Sequence, residues 1–486
     1  MNFLSSLSSI PPFRPAYNCG SMLDIPTGTY HFGEYGQSIL SGGMPHILSV
    51  VGPGNAGKTS IIYHIALVAT DRITPMGTSI YDSEVSSNYD RVNTFCKRLP
   101  NLSKIDHSDQ YSDIENIKVK ITSSAEELGD VYFDKILEIA EAKKDKKITK
   151  LTTPFFTPEH KPILVIPPTI SVIDSLSELK VTNNEESIVD KNSIGDSGMN
   201  ILWMRQGGAK KQLITQLPNM AANASMHFLM TAHVGDEFEM GMMAPKKHKL
   251  MFAKKGSKVT GTTKAFEFIN NALYEIFNAN MLNNKDYGTG VLYPAIESDR
   301  LPDCTDLTIV TLKLTRNKGG PSGAVVDLIL SQREGVLPHL SMFHYIKESG
   351  RFGFEGNNTS YSLSLLPDVK IQRTTVRNII DSNAFLQRAL EITSEMLQIK
   401  ELWATLPDDL MCTPQELYTD LKSLGYDWSI LLNTRSWWTF KEYEQFELPQ
   451  LTTLDLLRMR KGLYHPYWLN DDKVTYKKEF KHKLNS

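Results

Sequence analysis

Gly52-Pro-Gly-Asn-Ala-Gly57-Lys58-Thr59 stands between a short apolar run, His46-Ile-Leu-Ser-Val-Val51, and an apolar helical stretch from Ser60 to Ala69. No other stretch constrains the fold as much. The run before it has the length and β-branched content of a strand. G-x-x-x-x-G-K-[ST] between a strand and a helix is the setting in which this motif cradles phosphate. Its glycines turn backbone N–H groups inward around phosphate oxygens, at the positive end of the following helix. Read this way, Gly52, Gly54, Asn55, Ala56, Gly57, Lys58, Thr59 and Ser60 bind ATP. Lys58 reaches the terminal phosphates and the Thr59 hydroxyl ligates Mg2+.

Hydrolysis needs two further acidic functions, one supporting the metal from a neighbouring strand and one polarising the attacking water. Asp174, closing the run Thr169-Ile-Ser-Val-Ile173, is the candidate for the metal; a helix-capping aspartate is the plainer alternative. Glu84, just past the strand Thr78-Ser-Ile-Tyr81, is the candidate for the water, although alone it reads as an ordinary surface carboxylate.

The rest of the chain alternates strand-like runs (Pro162–Ile173, His227–Thr231, Leu307–Thr315, Ala324–Leu330) with helical stretches. That alternation predicts an α/β core with a largely parallel sheet. Residues 1–30 read as a loose Ser/Pro-rich arm, 31–365 as the ATPase core, and 366–486 as a smaller helical region. Residues 85–150 read as polar and helical, 176–200 as a loop, and the helix near Met204 to Asn223 is expected to break or kink at Pro218. Five of the six tryptophans lie beyond residue 400, and Thr413-Pro-Gln-Glu416 has the form of a helix-capping box. Lys473 to Lys483 form a basic tail. With 41% hydrophobic and 22% charged residues, the 486-residue chain has the composition of a soluble globular protein. A net charge of −3 excludes a global basic field, so a nucleic-acid surface has to be a local patch. Cys19, Cys96, Cys304 and Cys412 are too scattered for a metal knuckle or a disulfide framework, which fits a cytoplasmic setting. Neither a signal peptide nor a membrane-spanning run is evident, and no membrane partner is expected.

Several segments, taken in order, carry a resemblance. Tyr81-Asp-Ser-Glu84 resembles the segment bearing the catalytic glutamate of the RecA recombinase family, most closely the UvsX recombinases of tailed bacteriophages. Ile25-Pro-Thr-Gly28 and Gly42-Gly-Met-Pro45 look like the start of that family's core, and Ile173-Asp-Ser-Leu176 like its Walker B segment. Met230-Thr-Ala-His233 stands where the family carries a polar sensor. Lys313-Leu-Thr-Arg316-Asn-Lys318 is similar to its pair of cations acting on a neighbouring subunit's phosphate; an edge strand guarded by charge is the bland alternative. Glu334-Gly335 and Tyr345 to Gly350 continue the likeness, which covers roughly residues 22 to 360.

What the resemblance implies is a RecA-like P-loop ATPase core in which Lys58, Glu84, His233, Arg316 and Lys318 act on ATP with Thr59 and Asp174 holding Mg2+. It also implies DNA-binding loops after the sensor, where Lys254, Lys255, Lys258 and Lys264 stand among Gly, Ser and Thr. A mobile basic loop suits phosphate contacts; a merely solvated loop is the alternative. The function implied is a DNA-dependent ATPase that assembles on single-stranded DNA and promotes strand pairing or exchange. Its partners would be single-stranded DNA, further copies in a filament or ring and, if phage-encoded, phage recombination and replication proteins in the host cytoplasm. A hexameric RecA-like helicase is the alternative, expected to carry an N-terminal helical domain where this chain has about 50 residues before the loop. Residues 100–160 and 281–302 look like insertions, and the spacing from Glu84 to Tyr89 is short for Tyr89 to stack on adenine.

Overall fold

The computed structural model describes residues 13–20, 22–108, 117–145, 147–180, 197–236, 250–283, 290–300, 306–357, 360–403 and 406–469. Its centre is a ten-stranded sheet. In chain order these strands are β1 (Ile47–Gly52), β2 (Gly77–Asp82), β3 (Val119–Ser123), β4 (Thr169–Asp174), β5 (Met226–Asp236), β6 (Ser257–Val259), β7 (Ala272–Met281), β8 (Leu307–Asn317), β9 (Val325–Ser331) and β10 (Gly335–Val336). They lie side by side as β10-β9-β8-β7-β1-β5-β4-β2-β3, with β6 added on β5. From β7 to β3 every pairing is parallel; β8, β9, β10 and β6 pair antiparallel. This is the α/β core with a mostly parallel heart that the sequence implied, and β1 lies inside it. All six β1 residues are buried, as a parallel strand covered on both faces requires.

Helix α1 (Lys58–Arg72) leaves the phosphate loop and is buried over most of its circumference, so it reads as apolar all round rather than striped. Helices α2 (Tyr89–Cys96) and α3 (Gly129–Ala142) follow, and α4 (Ser197–Ala224) precedes β5. Pro218 does not end α4. The cost of its missing N–H and its clash with the preceding turn is offset by packing: Ile214, Leu217 and Ala221 are buried with Tyr132, Phe133 and Ile136 of α3. After a short α5 (Lys264–Ile269) come α6 (Pro338–Glu348), a three-stranded sheet (Phe354–Gly356, Ser360–Leu363, Leu366–Gln372) and helices including α7 (Val376–Ser382) and α8 (Ala384–Leu402). The capping box at Thr413 is formed, with reciprocal bonds to Glu416.

Three expectations need correction. Residues 85–150 are not all helical, because β3 extends the sheet edge there. The region after 365 is not all helical either: Leu366–Gln372 is a strand of the three-stranded sheet. Residues 13–28, expected in a loose arm, instead run through this chain's own body. Tyr17, Cys19, Met22, Leu23 and Ile25 are buried, and the C-terminal region holds them. Trp438 stacks on Tyr17 at 4.8 Å and donates to the Ala16 carbonyl, Gln398 donates to Met22, and Trp403 to Ile25. The Asp455 carboxylate accepts the Ser38 N–H at 2.8 Å. The tail beyond residue 469 and the stretch 237–249 lie outside the described residues. No helix among the described residues is long and apolar enough to cross a membrane.

Candidate nucleotide-binding site

Open parallel sheets place their ligands beyond the carboxyl ends of the strands, and this sheet brings the expected residues together there. Gly52 at the end of β1 lies opposite His233 on β5, and Asp82 at the end of β2 lies opposite Asp174 on β4. The loop from Gly52 to Gly57 then turns into α1, whose N-cap, Gly57, has φ +89° and no side-chain cap. The N–H groups of its first turn are thus left for an anion. A side chain at Gly57 would meet Leu330 at 2.7 Å and one at Gly52 would meet Ile276 at 2.9 Å, whereas Gly54 faces open space.

Lys58 is buried and reaches back to the Pro53 carbonyl at 2.7 Å. Its ammonium lies 3.4 Å from His233 Nδ1, and His233 Nε2 lies 2.9 Å from the Glu84 carboxylate. A charged Lys58 makes Nδ1 the acceptor and leaves Nε2–H to donate to Glu84, so the histidine joins the cation to the proposed base. Burial lowers the Lys58 pKa, countered by Glu84 and Asp174. Burial raises that of Glu84, but the neighbouring Ser175 and His233 side chains and the Lys58 charge hold it below its ordinary range. Glu84 therefore stands ionised at neutral pH, as a group that orients and polarises water has to be.

Asp174 is buried and accepts the Thr231 hydroxyl at 2.5 Å. Burial pushes its pKa up; hydrogen bonds from Thr231 and Thr59 pull it down, and the charges of Glu84 and Asp82 push it up again. A buried carboxylate crowded by two others, with the Thr59 hydroxyl near it, has the donor chemistry of a Mg2+ site completed by phosphate oxygens and water. The described residues hold no group of three or more His, Cys, Asp or Glu side chains able to take a metal alone, and a loop-type Mg2+ site does not need one.

Three residues that the sequence reading did not single out build the frame. Asp82 accepts the N–H groups of Glu84, Ser86 and Ser87 at 3.1, 2.7 and 2.6 Å, fixing the turn that aims Glu84. Thr231 orients Asp174, and its spacing of two from His233 on one strand face was a signal available in Met230-Thr-Ala-His233. Lys210 on α4 donates to the carbonyls of Leu176, Ser177 and Gly261; a lone lysine in a helical pattern gives no such hint. Tyr89 is placed away from the loop. Its hydroxyl accepts the Ile121 N–H on β3, the far edge strand.

The sensor position is also the root of a hairpin. Just past His233, β5 pairs with β6 in the register Val234↔Val259 to Asp236↔Ser257. The His233 carbonyl accepts the Thr260 N–H at 2.9 Å, and Ser177 bonds both the His233 N–H and the Thr260 carbonyl. Lys254, Lys255, Lys258 and Lys264 are all exposed along this hairpin and the start of α5. The Lys254 ammonium is spent on the Phe277 carbonyl of its own chain, at 3.0 Å.

Arg316 and Lys318 come together at the other end of the sheet. Arg316 donates to the Asn270 and Phe268 carbonyls and lies over the Phe268 ring at 5.6 Å; Lys318 donates to Ile269. Burial, then Arg316, lowers the Lys318 pKa. Arg316 pairs with Leu273, which pairs with Ser49 of β1, three residues before Gly52. At about 3.3 Å per residue and about 4.8 Å per strand, the Arg316 backbone stands roughly 14 Å from Gly52 and Lys318 further still, with both side chains turned to carbonyls of their own chain away from the loop.

No family model and no curated protein matches the chain. Solved structures do. One, an isolated ATPase domain, is 13% identical with a TM-score of 0.32, over 60% of this chain and 83% of that one. A DnaB-like replicative helicase, solved for its interactions with primase, is 13% identical with a TM-score of 0.35, over 67% of this chain and 64% of that one. Neither is named as a recombinase, and at these values neither decides what this chain does.

Proposed function

We propose that this chain is a Mg2+-dependent ATP hydrolase that couples the state of its nucleotide to DNA binding, in an assembly that shares each nucleotide between two subunits. The observation that carries this reading is His233: one side chain touches both Lys58 and Glu84, and its own backbone roots the lysine-bearing hairpin. A γ-phosphate arriving at Lys58 competes for the contact His233 makes now, and a shift of His233 moves the hairpin's first residues. ATP thereby favours one hairpin arrangement and its hydrolysis releases it. Within this reading the ordered motifs support a strand-pairing recombinase on single-stranded DNA, with a ring helicase as the alternative. Electron microscopy with ATP and single-stranded DNA separates them. Helical filaments support the recombinase, and closed six-membered rings that unwind duplex overturn it.

The hairpin's role has its own test. Lys255, Lys258 and Lys264 replaced by alanine should weaken single-stranded DNA binding and leave nucleotide affinity intact. If each touches one phosphate, the slope of log affinity against log salt shrinks by about 0.7 per contact, or about 2 in all. Sequence preference should not change, since phosphate contacts position a strand without reading it. A slope equal to wild type removes the hairpin from the DNA site.

Arg316→Ala should abolish turnover only in the assembled state. Mixed with Lys58→Ala protomers, it is expected to recover part of the activity at interfaces that pair an intact loop with an intact arginine. No recovery in demonstrably mixed assemblies would end the proposed action between subunits.

A further inference from the structure

A cavity of about 590 Å³ lies against the far half of α1. His64 and Arg72 line one wall, the first residues of α6 another, and the Trp437 ring a third. Arg72 closes α1, a helix of 15 residues, so it stands about 21 Å from Lys58. The wall's four carboxylates each have partners of their own. Asp71 accepts the N–H groups of Asn101 and Leu102; Glu334 is held by Arg98 and Arg377, Asp381 by Arg98, and Glu391 by His339 and Arg388.

Arg72 feels the charges of Asp24, Asp71 and Glu391, but nitrogens of this wall are left without hydrogen-bond partners. Arg72 lies over Trp437 at 5.3 Å and against Gly20, and its Nη1 is buried with no hydrogen-bond partner. His64 Nε2 is buried without a partner too, and so is Nε of Arg377, whose side chain is 4% exposed. Burial, with Arg72 and His339, pushes the His64 pKa down to about 3, so the ring is neutral, and with its one proton on Nε2 that buried nitrogen is a donor without an acceptor. Helix α6 has Pro338 in its first turn and no side-chain cap, so its N-terminal N–H groups add positive potential to the same space. Unsatisfied buried donors beside a guanidinium are costly unless something accepts from them. Leu67, Val68 and Phe95 beside Trp437 give the cavity an apolar face as well. The volume suits a small molecule.

We propose that this cavity binds a small organic oxyanion, a phosphate or carboxylate on a flat apolar body, with Arg72 as its counter-ion and His64 and the start of α6 as hydrogen-bonding partners. The site is separate from the phosphate loop and does not rest on the ATPase reading. The test is calorimetric titration of the full chain carrying Lys58→Ala, which disables the loop, with phenyl phosphate, benzoate and, as neutral control, benzyl alcohol. At least one anion should bind at least tenfold more tightly than the alcohol, and the tighter of the two names the head group. Adding Arg72→Met should weaken that anion about ten- to a hundredfold, the range for losing a charged hydrogen bond, and Arg72→Lys should restore part of it. His64→Phe, which fills the cavity instead of emptying it, should block binding and serves if Arg72→Met does not fold. The proposal is overturned if neither anion binds, if binding seen in the native chain vanishes with Lys58→Ala alone, or if binding survives whichever of Arg72→Met and His64→Phe folds.

Discussion

Lys58→Ala is expected to lower kcat/KM for ATP on the order of 10³-fold, the range for removing one preorganised charge-stabilising group. The size follows from position and partners. Lys58 is buried at the first turn of α1, held ready by the Pro53 carbonyl and His233, and the helix end that it supplements carries no side-chain cap. Its neighbours are the Pro53 carbonyl, His233 and the carboxylates of Glu84 and Asp174, none of them a permanent cation that could take over. Phosphate replaces contacts to neutral acceptors with a contact between opposite charges, the stronger kind for an ammonium. The folded state should survive, since alanine suits a helix and the freed Pro53 carbonyl belongs to an exposed residue. Steady-state phosphate release with a thermal melt checks both halves. Native turnover in a folded Lys58→Ala protein would remove the loop from catalysis.

Glu84→Gln should leave nucleotide affinity within a few-fold of native and slow hydrolysis by about 10²-fold or more, the contribution of a positioned general base. Glutamine keeps the volume and can accept the His233 N–H, but it cannot take a proton or carry charge. Asp82 fixes the turn through three N–H groups, so the substitution changes chemistry more than geometry. Single-turnover hydrolysis with a fluorescent-nucleotide titration separates the two quantities. Hydrolysis at the native rate would mean that the water is activated by another group. The hydrogen bonds and charges that hold the Glu84 pKa down also set a pH direction. Its ionised form, and with it turnover, should persist from neutral pH to below the usual carboxylate range and be lost as the group protonates.

The loop and the ends of its flanking strands were legible because their signals are local. Strand, glycine turn, lysine and helix are contiguous, and Asp174, Glu84 and His233 each close a short apolar run beside it. The residues that frame them were less legible. Asp82 stands inside a motif yet acts on backbone N–H groups, which sequence does not display. Lys210 satisfies carbonyls 33 to 51 positions away. The N-terminal segment misled for the same reason. Its Ser and Pro content reads as loose, but Tyr17 and Met22 are held by side chains more than 370 residues further on. The strand Leu151–Phe156 was less legible too: its burial alternates but its residue types do not, and its partners, Pro162–Val165 and Lys441, lie outside the main sheet. Chain-end contacts of this kind leave no periodic trace.

The proposed coupling of nucleotide turnover to DNA runs through His233, which links the loop to the hairpin. The direct measurement is the steady-state rate of phosphate release from Mg2+-ATP by the full chain, with and without saturating single-stranded DNA. Expected are a low basal rate, a rise on adding DNA, and loss of that rise when His233→Ala breaks the link while the loop still binds nucleotide. A rate that is the same with and without DNA, in a protein that binds both ligands, would contradict it.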